Sequence, residues 1–159
     1  MGTLLAEAFR TVAESAGKGG RAKTAKRVCD VHRLAHHAGA RPQLADPAQP
    51  PHAGARAVAL QGDLTTAGGV ERLFADTYAA VGRPDIAINT VGKVLKKPIT
   101  DISEAEYDEM AAVNAKAAFF FLKEAGRHVN DNGKVVTLVT SLRGAFTPFY
   151  ASYAGTKAP

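Results

Sequence analysis

Cysteine occurs once, at Cys29, so no disulfide can form within the chain, and a reducing, cytoplasmic setting is the expectation. Long apolar runs are also missing. The densest cluster, residues 119–122, is far too short to span a bilayer. Met1-Gly2-Thr3-Leu4-Leu5 puts no basic residue ahead of its apolar ones and offers no cleavage site, so no secretory signal is read. An acidic excess is absent too: the net charge is +5, and it is unevenly spread. Residues 1–57 hold nine Lys and Arg against four Asp and Glu, while residues 58–159 hold eleven of each. A basic arm of this kind can meet nucleic acid or an anionic membrane. Phe9 is the one aromatic among those basic residues, however, so bases would find few rings to stack on. The expectation is therefore no nucleic-acid partner and no membrane partner.

What is present is an ordinary globular composition, 46% apolar and 22% charged, in 159 residues, enough for one domain. The chain changes character near Ala55. Residues 4–16 carry Leu4, Leu5, Ala8, Phe9 and Val12 at helical spacing, and Gly17-Lys18-Gly19-Gly20 breaks that pattern. Residues 21–38 are basic and Ala-rich and could form a weak helix. Residues 39–54 contain four prolines and read as a linker. Residues 1–54 are thus expected to be a basic, Ala- and Pro-rich, partly ordered segment. From Ala55 onward strand and helix patterns alternate. Residues 56–60, 85–91 and 134–140 read as strands, the last apolar on both faces, as a buried parallel strand would be. Residues 70–81 and 103–129 read as helices, the second opening on a Ser103/Glu106 capping box and carrying Met110, Val113, Ala117, Phe120 and Phe121 on one face. Such alternation predicts βαβ units in an α/β layered fold.

The sharpest chemical pattern is Ser141, Tyr153 and Lys157. Ser141 follows a predicted strand, and open parallel sheets bind ligands beyond the carboxyl ends of their strands. Tyr153 and Lys157 are four residues apart, so a helix would place both on one face. An ammonium nearby favours a phenolate, which lets a tyrosine exchange a proton with a substrate oxygen at neutral pH. A serine hydroxyl can bind the same oxygen. Tyr-x-x-x-Lys alone is common on surface helices. A second cluster, Cys29, His32 and His36, could share one helix face as metal ligands, but no fourth ligand accompanies it and no metal is expected. Lys93, Lys96 and Lys97 read as a solvated loop.

Together these residues resemble the short-chain dehydrogenases/reductases over residues 55–159. Ser141, Gly144 and Tyr153-Ala154-Gly155-Thr156-Lys157 are similar to that family's active-site segment. Gly62-Asp63-Leu64 resembles its turn beside the adenine ring, Asn89-Thr90-Val91-Gly92 its Asn-Asn-Ala-Gly turn, and Asn114 its helical catalytic asparagine. The resemblance implies a partial Rossmann-like parallel sheet with flanking helices, preceded by the basic segment. It implies an oxidoreductase using NADP or NAD, with hydride transfer between nicotinamide and a small carbonyl or alcohol substrate, ketone reduction of the 3-oxoacyl-reductase kind foremost. The catalytic residues would be Ser141, Tyr153, Lys157 and Asn114. Asp63, Leu64, Asn89, Gly92, Tyr153 and Lys157 would bind the cofactor. Intact relatives would be homo-oligomeric.

Three departures accompany the resemblance. Asn89-Thr90-Val91-Gly92 lacks the second Asn and the Ala, and Val91 is expected to add bulk beside the adenosine ribose. Ser141 and Tyr153 stand one residue closer than in many members. The opening Thr-Gly-x-x-x-Gly-x-Gly turn, whose amides would hold a pyrophosphate, is missing, since Gly17-Lys18-Gly19-Gly20 follows a helix-like stretch. Without the first two strands of the family's sheet, the strands at 56–60 and 85–91 must pair directly or stay apart, displacing Asp63, and strand 134–140 becomes an exposed edge. The alternative is therefore a catalytically inactive, truncated fragment of such an enzyme.

Overall fold

The computed structural model describes residues 6–9, 28–33, 58–145 and 147–158. Five strands form one sheet: β1 (Ala6–Phe9), β2 (Val28–Arg33), β3 (Ala59–Gly62), β4 (Ile86–Asn89) and β5 (Lys134–Thr137). Their order is β3-β1-β2-β4-β5. β2, β4 and β5 run parallel, as the alternating pattern requires, whereas β1 is antiparallel to both of its neighbours.

Two expectations fail at the start of the chain. Residues 6–9 and 28–33 are strands, not parts of helices. Helix propensity is a weak preference, and pairing overrides it: β1 lies between β2 and β3 and hydrogen-bonds along both of its edges. The metal-ligand face proposed for Cys29 and His32 disappears with the helix, because both lie on β2. His36 falls outside the described residues, as does Gly17-Lys18-Gly19-Gly20. Nor do β3 and β4 pair directly or drift apart. β1 and β2 fill the two positions between them, which keeps the turn carrying Asp63 at the end of a paired strand.

Helix α1 (Ala67–Val81) begins where Thr66 accepts a hydrogen bond from the Gly69 amide at 3.1 Å, and ends at Gly82 in a left-handed turn with φ of 78°. A Cβ at Gly69 would stand 1.7 Å from the Asp63 carbonyl oxygen, so only glycine allows this tight entry from β3. The long helical stretch is α2 (Glu104–Met110), a π-helical turn (Ala111–Lys116) and α3 (Ala117–His128). Its capping box is formed as the sequence predicts: Ser103 accepts from the Glu106 amide and the Glu106 carboxylate accepts from the Ser103 amide at 2.8 Å. α1 and α3 pack together, and between them and the sheet lies the core. Phe74 and Phe121 meet there with ring centroids 5.4 Å apart, among Val70, Leu73, Ala87, Val113 and Ala117. Met110, Val113, Ala117 and Phe121 are buried from the predicted face, and Phe120 is partly buried.

β5 is a sheet edge, as expected, but it is not the buried strand its apolar residues suggest. Val135, Val136, Leu138 and Val139 are all exposed. A run of branched residues states which side chains can be buried, and burial itself needs a neighbour on the far side. No helix among the described residues is long and apolar enough to cross a membrane.

Candidate active site

The carboxyl ends of β4 and β5 carry the site. Asn89, the last residue of β4, is buried and turns its side chain back on the backbone. Its Oδ1 accepts from the Val91 amide at 3.0 Å, and its Nδ2 donates to Thr137 Oγ1 on β5 at 3.1 Å. The Leu138 amide donates to the Asn89 carbonyl at 2.9 Å. One side chain therefore fixes the exit angle of β4 and ties it to β5. Val91 then points into the hydrophobic core, so the bulk expected beside an adenosine ribose is accommodated inside the protein.

Asn114 sits on the π-helical turn and is 1% exposed. π-turns inside α-helices occur often at functional positions. Its Oδ1 accepts from the Lys93 amide at 2.8 Å, and its Nδ2 donates to the Lys93 carbonyl at 2.9 Å and to Thr156 Oγ1 at 3.0 Å. The carboxamide thus clamps the backbone after Gly92 and reaches α4 (Ala151–Thr156).

Tyr153 lies on α4, and the Lys157 amide donates to the Tyr153 carbonyl at 3.0 Å, so the spacing between them is helical, as expected. Lys157 is 7% exposed, and its ammonium bridges two strand ends, donating to the Val91 carbonyl at 2.8 Å and the Leu138 carbonyl at 3.1 Å. Burial pushes the lysine below its usual pKa, since desolvation disfavours the charged form. Ser141 opens a 3₁₀ turn (Ser141–Arg143) shaped by Thr140, whose Oγ1 accepts from the Leu142 amide at 3.2 Å. That turn and α4 are in contact. Ser141 is exposed, Tyr153 partly so, and neither hydroxyl bonds another described residue.

Next to them in sequence, Leu142 and Ala154 help line an apolar cleft of about 670 Å³, together with Ile99, Pro148, Phe149 and Tyr150. Phe149 has φ of 71°, a left-handed conformation that strains a bulky residue. Its carbonyl accepts from the Lys97 amide at 2.8 Å. Lys97 also donates to both oxygens of Glu106, at 2.8 and 2.9 Å, which with Ser103 lowers that carboxyl to about 2. Lys93 pairs with Glu109, and Lys96 lies 6.0 Å from the centroid of the Tyr150 ring. Two of the three lysines expected in a solvated loop are therefore held by carboxylates.

Asp63 and Leu64 stand apart from this cluster, beyond β3. Asp63 Oδ1 accepts from the Thr65 amide at 2.9 Å and from Thr65 Oγ1 at 2.6 Å, so the carboxylate shapes the entry to α1. The Leu64 side chain is buried in the core, which leaves only its backbone to face a ligand. Sequence reasoning missed Thr156, whose position inside the Tyr–Lys segment carries no sign of its role, and missed the cleft, whose walls join α4 to stretches distant in sequence.

Residues 33–159 match the family described as enoyl-(acyl carrier protein) reductase. The hydroxynaphthalene reductase-like protein Arp2 of Metarhizium brunneum (strain ARSEF 3297) is 36% identical over 107 residues, and the short chain dehydrogenase claC of Passalora fulva is 30% identical over 106. Each alignment covers 66% of this chain and 40% of the relative. A Burkholderia cenocepacia structure described as a dehydrogenase with bound NADP is 74% identical, with a TM-score of 0.60, over 61% of this chain and 37% of that one. A dehydrogenase/reductase from Sinorhizobium meliloti 1021 is 31% identical, with a TM-score of 0.58, over 61% of this chain and 39% of that one. With a family match across most of its length, on a Rossmann-like α/β sheet, the chain belongs to the short-chain dehydrogenase/reductase family.

Proposed function

We propose that this chain carries the proton-transfer centre of an NADP- or NAD-dependent oxidoreductase that interconverts a small ketone and its alcohol, in the manner of a 3-oxoacyl reductase. The observation that supports it best is the Lys157 ammonium held across the ends of β4 and β5, one helical turn from Tyr153. In the direction of reduction, Tyr153 Oη gives its proton to the ketone oxygen while Ser141 Oγ donates a hydrogen bond to the same oxygen. Lys157 supplies positive charge beside the phenol, and its third N–H is left for a ribose hydroxyl. Asn114 holds the backbone that receives the ammonium. The nicotinamide cofactor, when bound, supplies the hydride.

The residues present fit the nicotinamide end of such a cofactor: the Lys157 ammonium, packed against Gly92 beside Asn114, has one N–H beyond the two given to the Val91 and Leu138 carbonyls. Asp63 and the Leu64 backbone would meet the adenine end. No glycine-rich strand-to-helix turn for a pyrophosphate lies among the described residues. The substrate is a small carbonyl or alcohol whose apolar part enters the cleft between Leu142 and Phe149. The same reading treats residues 55–159 as the family's central part and residues 1–54 as a basic segment of different character that lends β1 and β2 to the sheet. It also places the protein in the cytoplasm, with intact relatives homo-oligomeric.

The chain spans 40% of the length of these relatives, which favours a second reading: a protein of the same descent that performs no turnover. Titrating the purified chain with NADPH and NADH, followed by fluorescence, separates the two. Micromolar binding, with ketone reduction lost in Tyr153→Phe, supports the reductase. Absence of binding up to millimolar dinucleotide supports the inactive chain.

A further inference from the structure

We infer that Gly92 is a positioning residue for Lys157: the space left by its missing Cβ is where the lysine head group stands. A Cβ built at residue 92 would lie 2.8 Å from both Cε and Nζ of Lys157, and 3.4 Å from Asn114 Oδ1. Carbon and nitrogen do not approach so closely without a bond, so one of them must move. Glycine is not needed here for its backbone freedom. The left-handed glycine among the described residues is Gly82, and Gly92 takes a conformation open to any residue. Nor would the Cβ meet backbone, since its close neighbours are the far end of a flexible side chain. Alanine at this position leaves the chain path intact and displaces the ammonium.

The surroundings explain why that displacement matters. Residues 91–93 are one short stretch of backbone gripped from two sides. The Val91 carbonyl accepts from Lys157 Nζ at 2.8 Å, and Lys93 gives its amide and its carbonyl to Asn114. Gly92 is the residue between these grips, at the point where both side chains converge. An ammonium has three N–H donors. Two are directed at the Val91 and Leu138 carbonyls, so their geometry sets the direction of the third. Moving Nζ aside breaks one of these bonds and turns the remaining donor away. The consequence for ligand binding rests on the proposed role of Lys157 at the cofactor ribose. The steric claim does not.

The test is a mutant cycle on the full chain with Gly92→Ala, Lys157→Ala and the double variant, read by thermal unfolding, by a crystal structure of Gly92→Ala, and by NADPH titration. Gly126→Ala serves as the control, because nothing lies within 4 Å of a Cβ there. Alanine at 92 is expected to lower the midpoint by about 3–6 °C in the parent and by less than about 1 °C where Lys157 is already truncated. The structure should show Nζ off at least one of its two carbonyls, and the NADPH dissociation constant should rise about tenfold or more. An equal loss in both backgrounds overturns the inference, as does an Nζ still on both carbonyls in Gly92→Ala. Should Gly92→Ala alone fail to fold, a double variant that folds like Lys157→Ala supports the inference, and one that also fails overturns it. If the parent chain binds no NADPH, the proposed function fails, while unfolding and structure still decide the role of Gly92.

Discussion

The polar groups of the site divide into two sets, one buried and engaged, the other exposed and unengaged. Asn89, Asn114, Thr156 and Lys157 are buried and engaged at 2.8–3.1 Å with backbone, with one another or, for Asn89, with Thr137 Oγ1. Ser141 is exposed and Tyr153 partly so, next in sequence to the cleft residues Leu142 and Ala154, with hydroxyls that bond no other described residue. Buried polar groups without partners cost about 1–3 kcal/mol each, so the completeness of the inner set contributes to stability. The outer set carries no such obligation, which leaves its hydroxyls available for the proposed contact with a ketone oxygen. The inner set is built into the protein before any ligand arrives, which is the condition for electrostatic preorganisation.

Substitutions in the two sets should therefore behave oppositely. Tyr153→Phe is expected to lower ketone turnover about 10²–10⁴-fold with no measurable change in the unfolding midpoint. A midpoint drop as large as that of Asn114→Ala would place Tyr153 in the inner set. Asn114→Ala should lose about 2–4 kcal/mol of stability in denaturant titration, because the Lys93 amide and Thr156 lose their partner together. Retention of parental stability would show that water replaces the carboxamide without loss. Ser103→Ala, outside both sets, should cost about 1 kcal/mol through the lost cap. The same capping box gives a pH dependence. Glu106 is held at about 2, below the ordinary carboxyl value, so its contribution is present above about pH 4.5 and fades as pH falls from there toward 2. Unfolding midpoints of Glu106→Gln should consequently converge with those of the parent toward pH 2. The smallest effect is expected at Ser152, whose buried Oγ has no hydrogen-bond partner among the described residues. Ser152→Ala should be neutral or stabilise by up to about 1 kcal/mol, and a clear loss of stability would reveal a partner for that hydroxyl.

Much of the fold could be read from local chemistry. The capping box at Ser103 and Glu106, the buried stripe from Met110 to Phe121 and the glycine stop after Val81 each announce themselves within a few residues. The family segment from Ser141 to Lys157 was equally legible, and the structure brings its turn and helix together. What escaped depended on distant partners. Residues 6–9 have the spacing of a helix and become a strand because two other strands flank them. Residues 134–137 have the composition of a central strand, and their exposure follows from their place at the end of the sheet order. Thr156 receives its role from Asn114, 42 residues away, and the cleft walls come from stretches as far apart in sequence as Ile99 and Ala154.

The antiparallel β1 bears on how the sheet can be assembled. Among the described residues β3 is joined to the rest of the sheet only through β1, so the four residues of β1 fasten the strand that leads to Asp63. β1 and β2 precede the other three strands in the sequence, and an isolated two-stranded ribbon is marginal in water. It must wait as a loose template until β3 closes on one edge and β4 on the other. These pairings join distant parts of the sequence, and such contacts slow folding. The adenine end of the proposed cofactor site would then depend on the four residue pairs between β1 and β3, and would loosen whenever β1 leaves its place.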